Sequence, residues 1–231
     1  MNEAQKDKLS AYDELRASFT AAVSHELRTP LARLMALLES AMLPESDPSP
    51  LLEQARAEVI QMNELIDEVL FLSELETGRE VVSLGWTPVA PIAASAFSEL
   101  ADSAERANVT LRTELAPGFE LPLRPRLLRV LLENLAGNAI RYAGEGATFS
   151  LNGRQEGTAL ILEGGDDGIG VSADDLPRIF ERFYRGDRAR ASRGTGLGLA
   201  IVKHVVVSAG GTVTASLPER GLRVSCRFPA R

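Results

Sequence analysis

Ser24-His25-Glu26-Leu27-Arg28-Thr29-Pro30 lies inside the longest helical pattern of the chain, and its phase decides how the N-terminal part folds. Between Asn2 and Met42 there is no glycine, and the single proline is Pro30. Apolar residues recur at Leu15, Phe19, Val23, Leu27, Leu31, Leu34 and Leu38, the spacing of one helix face. At about 100° per residue, His25 points roughly opposite the centre of that stripe. Pro30 lacks a backbone donor and is predicted to bend the helix just past His25. His25 is one of 2 histidines in the chain. It stands beside a carboxylate, with a threonine hydroxyl one helical turn further on.

Working outward, Leu43-Pro44-Glu45-Ser46-Asp47-Pro48-Ser49-Pro50 reads as a turn-rich break. A second helix follows, with Leu52, Ala55, Val59, Met62, Ile66 and Val69 spaced alternately by three and four, a heptad-like seam. Thr77-Gly78 ends it. A helical hairpin alone buries little surface, so two hairpins are expected to pair into a dimeric four-helix bundle. The competing arrangement packs both stripes on the C-terminal part of the same chain.

Past Trp86 the texture changes. Val109–Leu115, Ala147–Leu151 and Thr158–Leu162 alternate as strands do, and Gly211–Leu217 and Leu222–Phe228 look like closing strands. Pro91–Arg106, Arg126–Tyr142 and Leu197–Ser208 have helical spacing. Without a regular βαβ repeat, this order predicts an α+β sandwich with helices on one face of a mixed sheet.

The 231 residues allow two modest domains, and 45% apolar with 25% charged residues is a globular balance. A net charge of −7 argues against nucleic acid as the main ligand. Cys226 is the single cysteine, which rules out an intramolecular disulfide and a Cys-rich metal site. No run of about 18 apolar residues is present to span a bilayer.

Three further stretches carry chemistry. Asp166-Asp167-Gly168-Ile169-Gly170 follows a strand; its glycines let backbone approach a ligand, and its carboxylate can accept from an exocyclic amine. Taken alone, an acidic glycine turn is more often simply a turn. Gly194-Thr195-Gly196-Leu197-Gly198-Leu199 opens a helix, where free amides can cradle phosphates. Its spacing is neither that of a P-loop nor that of a dinucleotide fingerprint, and plain capping would also explain it. Asn134 and Asn138 are four apart on one helix face, and an asparagine oxygen is a good hard ligand for Mg²⁺. The competing reading is a pair of solvent-facing amides.

These blocks, in this order, resemble the catalytic core of sensor histidine kinases, within the wider family of gyrase, Hsp90 and the mismatch-repair ATPases. Ser24–Leu31 resembles the H box of the dimerisation and phosphotransfer domain. Asn134–Tyr142 resembles the N box, Asp166–Gly170 the G1 box, Ile179–Arg185 the F box and Gly194–Leu199 the G2 box. The resemblance implies a phosphotransfer hairpin over residues 1–78, a linker over 79–86 and an Hsp90-like ATP-binding domain over 87–231.

It also implies roles. His25 would attack the γ-phosphorus of ATP, Glu26 would orient the ring and take the proton, and Thr29 would position water to dephosphorylate a partner's phospho-aspartate. Asn138 would hold Mg²⁺ with Asn134 assisting, and Arg141 and Tyr142 would contact phosphate and base edge. Asp166 would accept from the adenine amine, and Gly168 and Gly170 would let backbone approach the nucleotide. Phe180 and Arg185 would flank the nucleotide, Arg185 near its phosphates. Gly194, Thr195, Gly196, Leu197 and Gly198 would close on the triphosphate, with Arg188–Arg193 as a mobile lid. ATP and Mg²⁺ are thus the expected ligands. A second copy of the chain and a response-regulator receiver domain are the expected partners. The chain would be the cytoplasmic portion of a receptor anchored by segments it does not itself contain. His204, among Ile201, Val202 and Val205, reads as structural, and Trp86 as a packing residue. Motion is expected about Leu75–Trp86.

Two departures from the family pattern stand out. Glu163-Gly164-Gly165 precede Asp166 where apolar residues are usual, which predicts a bulged or loosened strand end. Arg124-Pro125 stand where an acidic residue usually precedes the N box. Three alternatives compete. A clamp ATPase needs a Glu four residues before the Mg²⁺-binding Asn, but Asn134 stands there and Glu133 is off by one, about 100° away. A serine kinase of anti-sigma-factor type has no H box. A degenerate scaffold would have lost motif residues that are present here.

Overall fold

The computed structural model describes residues 3–44, 47–76, 85–186 and 194–230, with side chains from Thr20 onward. The chain divides into two compact units, Met1–Phe71 and Leu72–Arg231.

In the first unit, α1 (Glu3–Ala41) is one continuous helix that includes Pro30. It ends where the Met42 N–H reaches back to the Leu38 carbonyl at 3.2 Å and Pro44 follows. Asp47 then accepts from the Ser49 N–H at 3.0 Å, and Pro48 opens α2 (Pro48–Glu76), a start signal of capping acid and first-turn proline. The seam expected on α2 resolves into two adjacent faces. Ala55 and Leu65 are buried (5% and 4% exposed), together with Glu58, which lies 3.9 Å from Arg33 of α1; Leu72, buried further along α2, already belongs to the second unit. Leu52, Val59, Ile66 and Leu70 remain exposed (51%, 43%, 40% and 57%). On α1, Val23, Leu27 and Leu34 are half-buried, and Leu31, Met35 and Leu38 are exposed. The side chains of Leu15 and Phe19, and the break at Thr77-Gly78, lie outside the described residues.

In the second unit, β1 (Thr87–Pro88) leads into α3 (Val89–Arg106). Then come β2 (Thr110–Leu115), β3 (Glu120–Leu121), α4 (Pro125–Tyr142), β4 (Thr148–Glu156) and β5 (Ala159–Asp166). A 3₁₀ turn (Leu176–Arg178), α5 (Gly198–Ser208), β6 (Thr212–Ser216) and β7 (Arg223–Pro229) complete it. The main sheet has the order β2-β4-β5-β7-β6, with β2–β4 parallel and the other pairs antiparallel. β1 and β3 form a separate two-stranded pair. Its corner is fixed by Thr87, whose buried hydroxyl donates to the Leu123 carbonyl at 2.5 Å.

One face of the sheet carries Phe149, Leu151, Leu162 and Val224, all buried beneath the helices. Phe97 of α3 meets Phe149 edge-on at 5.9 Å. Alanines 93, 96 and 104 on α3 let it approach α4, whose Leu127, Leu128, Leu131, Leu132 and Leu135 fill the core. The other face is polar: Arg154 pairs with Glu156 at 2.7 Å and Glu163 at 2.5 Å. Those hydrogen bonds hold the Glu163 carboxyl below the usual carboxylate range.

The expected bulge before Asp166 is absent. β5 pairs with β4 residue for residue from Ala159–Glu156 to Asp166–Phe149. Glu163 faces outward to Arg154, and Gly164 faces the core. A Cβ on Gly164 would stand 3.1 Å from Phe149 and 3.2 Å from Leu135, so glycine makes room there for the aromatic ring. The irregular composition answers a packing need and leaves the strand intact.

Candidate nucleotide and phosphoacceptor sites

His25, Glu26 and Thr29 belong to the first unit. His25 and Thr29 are exposed and Glu26 is half-buried. Because Pro30 has no N–H, the helix ladder lacks one donor here. The Thr29 hydroxyl makes only a long 3.5 Å approach to the His25 carbonyl, which leaves it available to solvent.

The other candidate residues belong to the second unit, and the fold brings them together at the C-terminal end of α4. Ala143, just past Tyr142, accepts from the Ile169 N–H at 2.9 Å. A side chain on Gly168 would collide with that same carbonyl. The acidic turn is thereby seated on the end of the helix that carries Asn134, Asn138 and Tyr142. Asp167 fastens the turn from the other side: its carboxylate accepts from the Thr148 N–H at 2.6 Å.

Asp166 is held by backbone. Its Oδ1 accepts from the Gly168 N–H at 3.0 Å, and its own N–H donates to Leu222 at 3.0 Å. Burial nevertheless pushes its carboxyl above the ordinary aspartate range, the N–H groups of Gly168 and Leu222 opposing the shift. Gly221, before β7, has φ 82°, and a Cβ there would collide with the Asp166 carbonyl. Gly170 (φ 64°) packs against the Gly221 carbonyl, 2.6 Å from where its own Cβ would be. The β6–β7 turn is thus a wall of this site. Sequence reading missed Gly221 and Leu222: a glycine between two strands was visible, but its place beside Asp166 follows from β7 lying next to β5.

The glycine-rich segment completes the arrangement. Tyr142 Oη lies where a side chain on Gly194 would be. Asn134 donates to the Val130 carbonyl at 2.8 Å, and its Oδ1 sits 2.6 Å from where a Cβ on Gly198 would stand, at the N-terminus of α5. Asn134 is therefore engaged within the fold, whereas Asn138, half-buried, makes no side-chain hydrogen bond among the described residues. Arg141, exposed, donates to the Gly137 carbonyl at 3.1 Å. Thr195 Oγ1 accepts from the Leu197 N–H at 3.3 Å; the Leu197 side chain is fully buried, so a ligand would meet only its backbone. Gly196 (φ 73°) packs on Phe183, whose N–H donates to the Gly196 carbonyl at 3.0 Å. Phe180 and Arg185 are half-buried on that neighbouring segment. The expected lid, Arg188–Arg193, lies outside the described residues, as does most of the linker.

His204 is half-buried, and burial, then the nearby Arg182 charge, pushes its pKa down; a hydrogen bond to the Leu75 backbone opposes this. Its surroundings are those of a structural histidine. Among the described residues no group of three or more His, Cys, Asp and Glu side chains could hold a metal ion. Among the same described residues no helix is long and apolar enough to cross a membrane.

A helix bearing polar side chains, a backbone-held carboxylate and a glycine-lined helix N-terminus meet in the second unit, in a chain that also carries two long helices with an exposed histidine on the first. Residues 124–231 match the family described as histidine kinase-, DNA gyrase B- and HSP90-like ATPase, and residues 15–78 match the His kinase A phospho-acceptor domain. The chain belongs to the sensor histidine kinases of two-component systems.

Sensor-like histidine kinase SenX3 of Mycobacterium tuberculosis is 36% identical over 222 residues, 93% of this chain and 54% of that protein. The phosphate regulon sensor protein PhoR of Pseudomonas aeruginosa is 33% identical over 223 residues, 94% of this chain and 50% of its own. The chain thus spans about half the length of these curated relatives. Among solved structures, the Acinetobacter baumannii histidine kinase AdeS superposes with a TM-score of 0.75 at 23% identity, covering 90% of this chain and 98% of that one. Histidine kinase ThkA in complex with response regulator protein TrrA gives 0.77 at 18% identity, covering 100% and 68%. Both show the shared fold.

Proposed function

We propose that this chain is the catalytic core of a sensor kinase that phosphorylates its own His25 from ATP and passes the phosphoryl group to an aspartate of a response-regulator receiver domain. The observation that carries this reading is the exposed His25 on α1, in a chain whose second unit assembles a nucleotide layer around α4. A neutral imidazole nitrogen attacks the γ-phosphorus, the P–N bond forms as the bond to the ADP oxygen breaks, and the ring proton passes to Glu26. In the second step a receiver carboxylate oxygen displaces His25 from phosphorus.

Asp166 takes the adenine amine, and the α5 N-terminus with Gly194–Gly198 takes the phosphates. Asn138 would supply an oxygen ligand to Mg²⁺, which would offset the charge of the phosphates when bound. That its side chain makes no hydrogen bond among the described residues supports that role. Residues 1–78 act as the phosphotransfer hairpin, 79–86 as the linker and 87–231 as the ATP-binding domain. The exposed apolar face of α2 supports a homodimer: fully burying one such side chain contributes about 1.5–3 kcal/mol. The core works in the cytoplasm. Thr29 gives it phosphatase activity toward the phosphorylated regulator, by orienting water on the phospho-aspartate. Glu133 is paired with Arg129 at 3.5 Å, which supports kinase chemistry over hydrolysis of free ATP.

A pulse–chase tests the reading. Phosphorylated wild-type protein mixed with its receiver domain should lose label within minutes as the receiver gains it. Thr29→Ala should preserve that transfer and slow the later loss of label from the receiver at least about tenfold. Label that never leaves the kinase would overturn the phosphotransfer assignment.

A further inference from the structure

A cluster outside the family boxes grips one of them. Asp175 precedes the 3₁₀ turn Leu176–Arg178, and its carboxylate accepts the Tyr184 hydroxyl. The guanidinium of Arg178 lies 4.1 Å above the Tyr184 ring and pairs with Glu181 at 3.2 Å. Asp175 is itself oriented, since its N–H donates to Ser172 Oγ at 3.0 Å. Its second oxygen lies over Gly186, 2.7 Å from where a Cβ would be.

Between these anchors sits an uncommon backbone. Phe183 has φ 61°, in the left-handed region that a bulky L-residue rarely enters. Such a conformation persists only where the surroundings over-determine it. Here the Phe183 N–H reaches the Gly196 carbonyl at 3.0 Å. Gly196 lacks a side chain at the same point, where a Cβ would meet the Phe183 carbonyl carbon at 2.8 Å and the Tyr184 oxygen at 3.0 Å. Two left-handed residues thus lock the Phe180–Arg185 segment to the glycine-rich turn, and the next residue, Tyr184, is fastened to Asp175.

We propose that Asp175 is a positioning residue for ATP: through the Tyr184 hydroxyl it keeps Phe183 left-handed, and so holds Gly194–Gly198 in the shape that receives the phosphates. The proposal rests on the reading of those segments as the nucleotide site. With the acceptor gone, Phe183 relaxes to negative φ, its N–H turns from Gly196, and the glycine turn loses its template. Asp175 and Tyr184 are half-buried at the surface, so the pair contributes little to global stability.

The test measures binding of ADP and of a non-hydrolysable ATP analogue, each with Mg²⁺, to the full chain by calorimetry, alongside thermal melting. Asp175→Ala and Tyr184→Phe should each weaken the ATP analogue about tenfold, the scale of one charge-assisted hydrogen bond. The double variant should be no weaker than either single one, because both remove one interaction. Asp175→Asn, which keeps an acceptor oxygen, should restore binding to near wild type. In autophosphorylation, KM for ATP should rise with kcat unchanged. Wild-type affinity in both single variants, additive losses, or a fall in melting temperature that accounts for the loss of binding would overturn the proposal. A wild-type chain that binds no nucleotide would instead sink the underlying assignment of the site.

Discussion

Asp166 and Leu222 grip each other across the sheet: the Asp166 N–H donates to the Leu222 carbonyl at 3.0 Å, and the Leu222 N–H supports the Asp166 carboxylate. The pair joins the acidic glycine turn to the β6–β7 turn and sets the carboxylate in a half-buried position. Burial there raises its pKa. The folded chain therefore holds this proton more tightly than the unfolded chain. The resulting stability is fully present below the ordinary aspartate pKa of about 3.8 and is lost as pH rises through the folded value. Nucleotide binding has the opposite sign, because the ionised carboxylate is the better acceptor. Affinity for ADP should fall as pH drops through the raised pKa, at a higher pH than an ordinary aspartate would give. Titration calorimetry across pH checks this; Asp166→Asn should bind weakly and lose the pH dependence.

Gly221→Ala should damage both fold and site. The left-handed conformation alone costs a side chain about 1–2 kcal/mol, and the collision with the Asp166 carbonyl adds to it. Thermal melting should show a drop of several degrees, with nucleotide binding lost at temperatures where the variant is still folded. Gly146→Ala is the control: its φ is 81°, but nothing lies within 4 Å of the added carbon, so binding should survive.

The two faces of α2 should respond differently to charge. Ile66→Asp, on the exposed face, should weaken or abolish the dimer in sedimentation experiments while helical circular dichroism is largely retained. Leu65→Asp places a carboxylate at a buried position and should reduce the helical signal itself.

Cys226 is fully buried, and burial pushes its thiol up to about 12. Ellman's reagent at pH 8 should not react with the native protein, and the reaction should appear at the rate of unfolding when denaturant is added.

Most of the architecture was legible because periodicity is local. The helix at Pro125–Tyr142 and the starts of β4 and β5 came from spacing within one residue, whereas both strands run on past the Leu151 and Leu162 ends expected, to Glu156 and Asp166. The sheet order was not legible, since pairing β5 with β7 joins residues from Gly165 with Arg223 to Ala159 with Pro229, far apart in the chain. That is why Gly221 and Leu222 escaped notice. The seam on α2 was read as one stripe because Ala55, Met62 and Val69 on one face lie next to Leu52, Val59 and Ile66 on the other, and both faces are apolar. Glu163-Gly164-Gly165 was misread as a weak strand end because composition does not reveal that Phe149 needs the space above Gly164. The candidate residues on α4 and in both glycine turns were named from the sequence. What the fold adds is their scaffold: Ala143 under Gly168, Tyr142 beside Gly194, and Asn134 against the first residue of α5.

The central claim is that His25 receives phosphate from ATP bound in the second unit. The direct measurement is incubation of the purified chain with γ-labelled ATP and Mg²⁺, followed by acid and alkali treatment and peptide mapping. The label should be stable to alkali, lost in acid and located on His25, with none on His25→Gln at equal protein concentration. Label persisting on His25→Gln, or an acid-stable label on another residue, would contradict it.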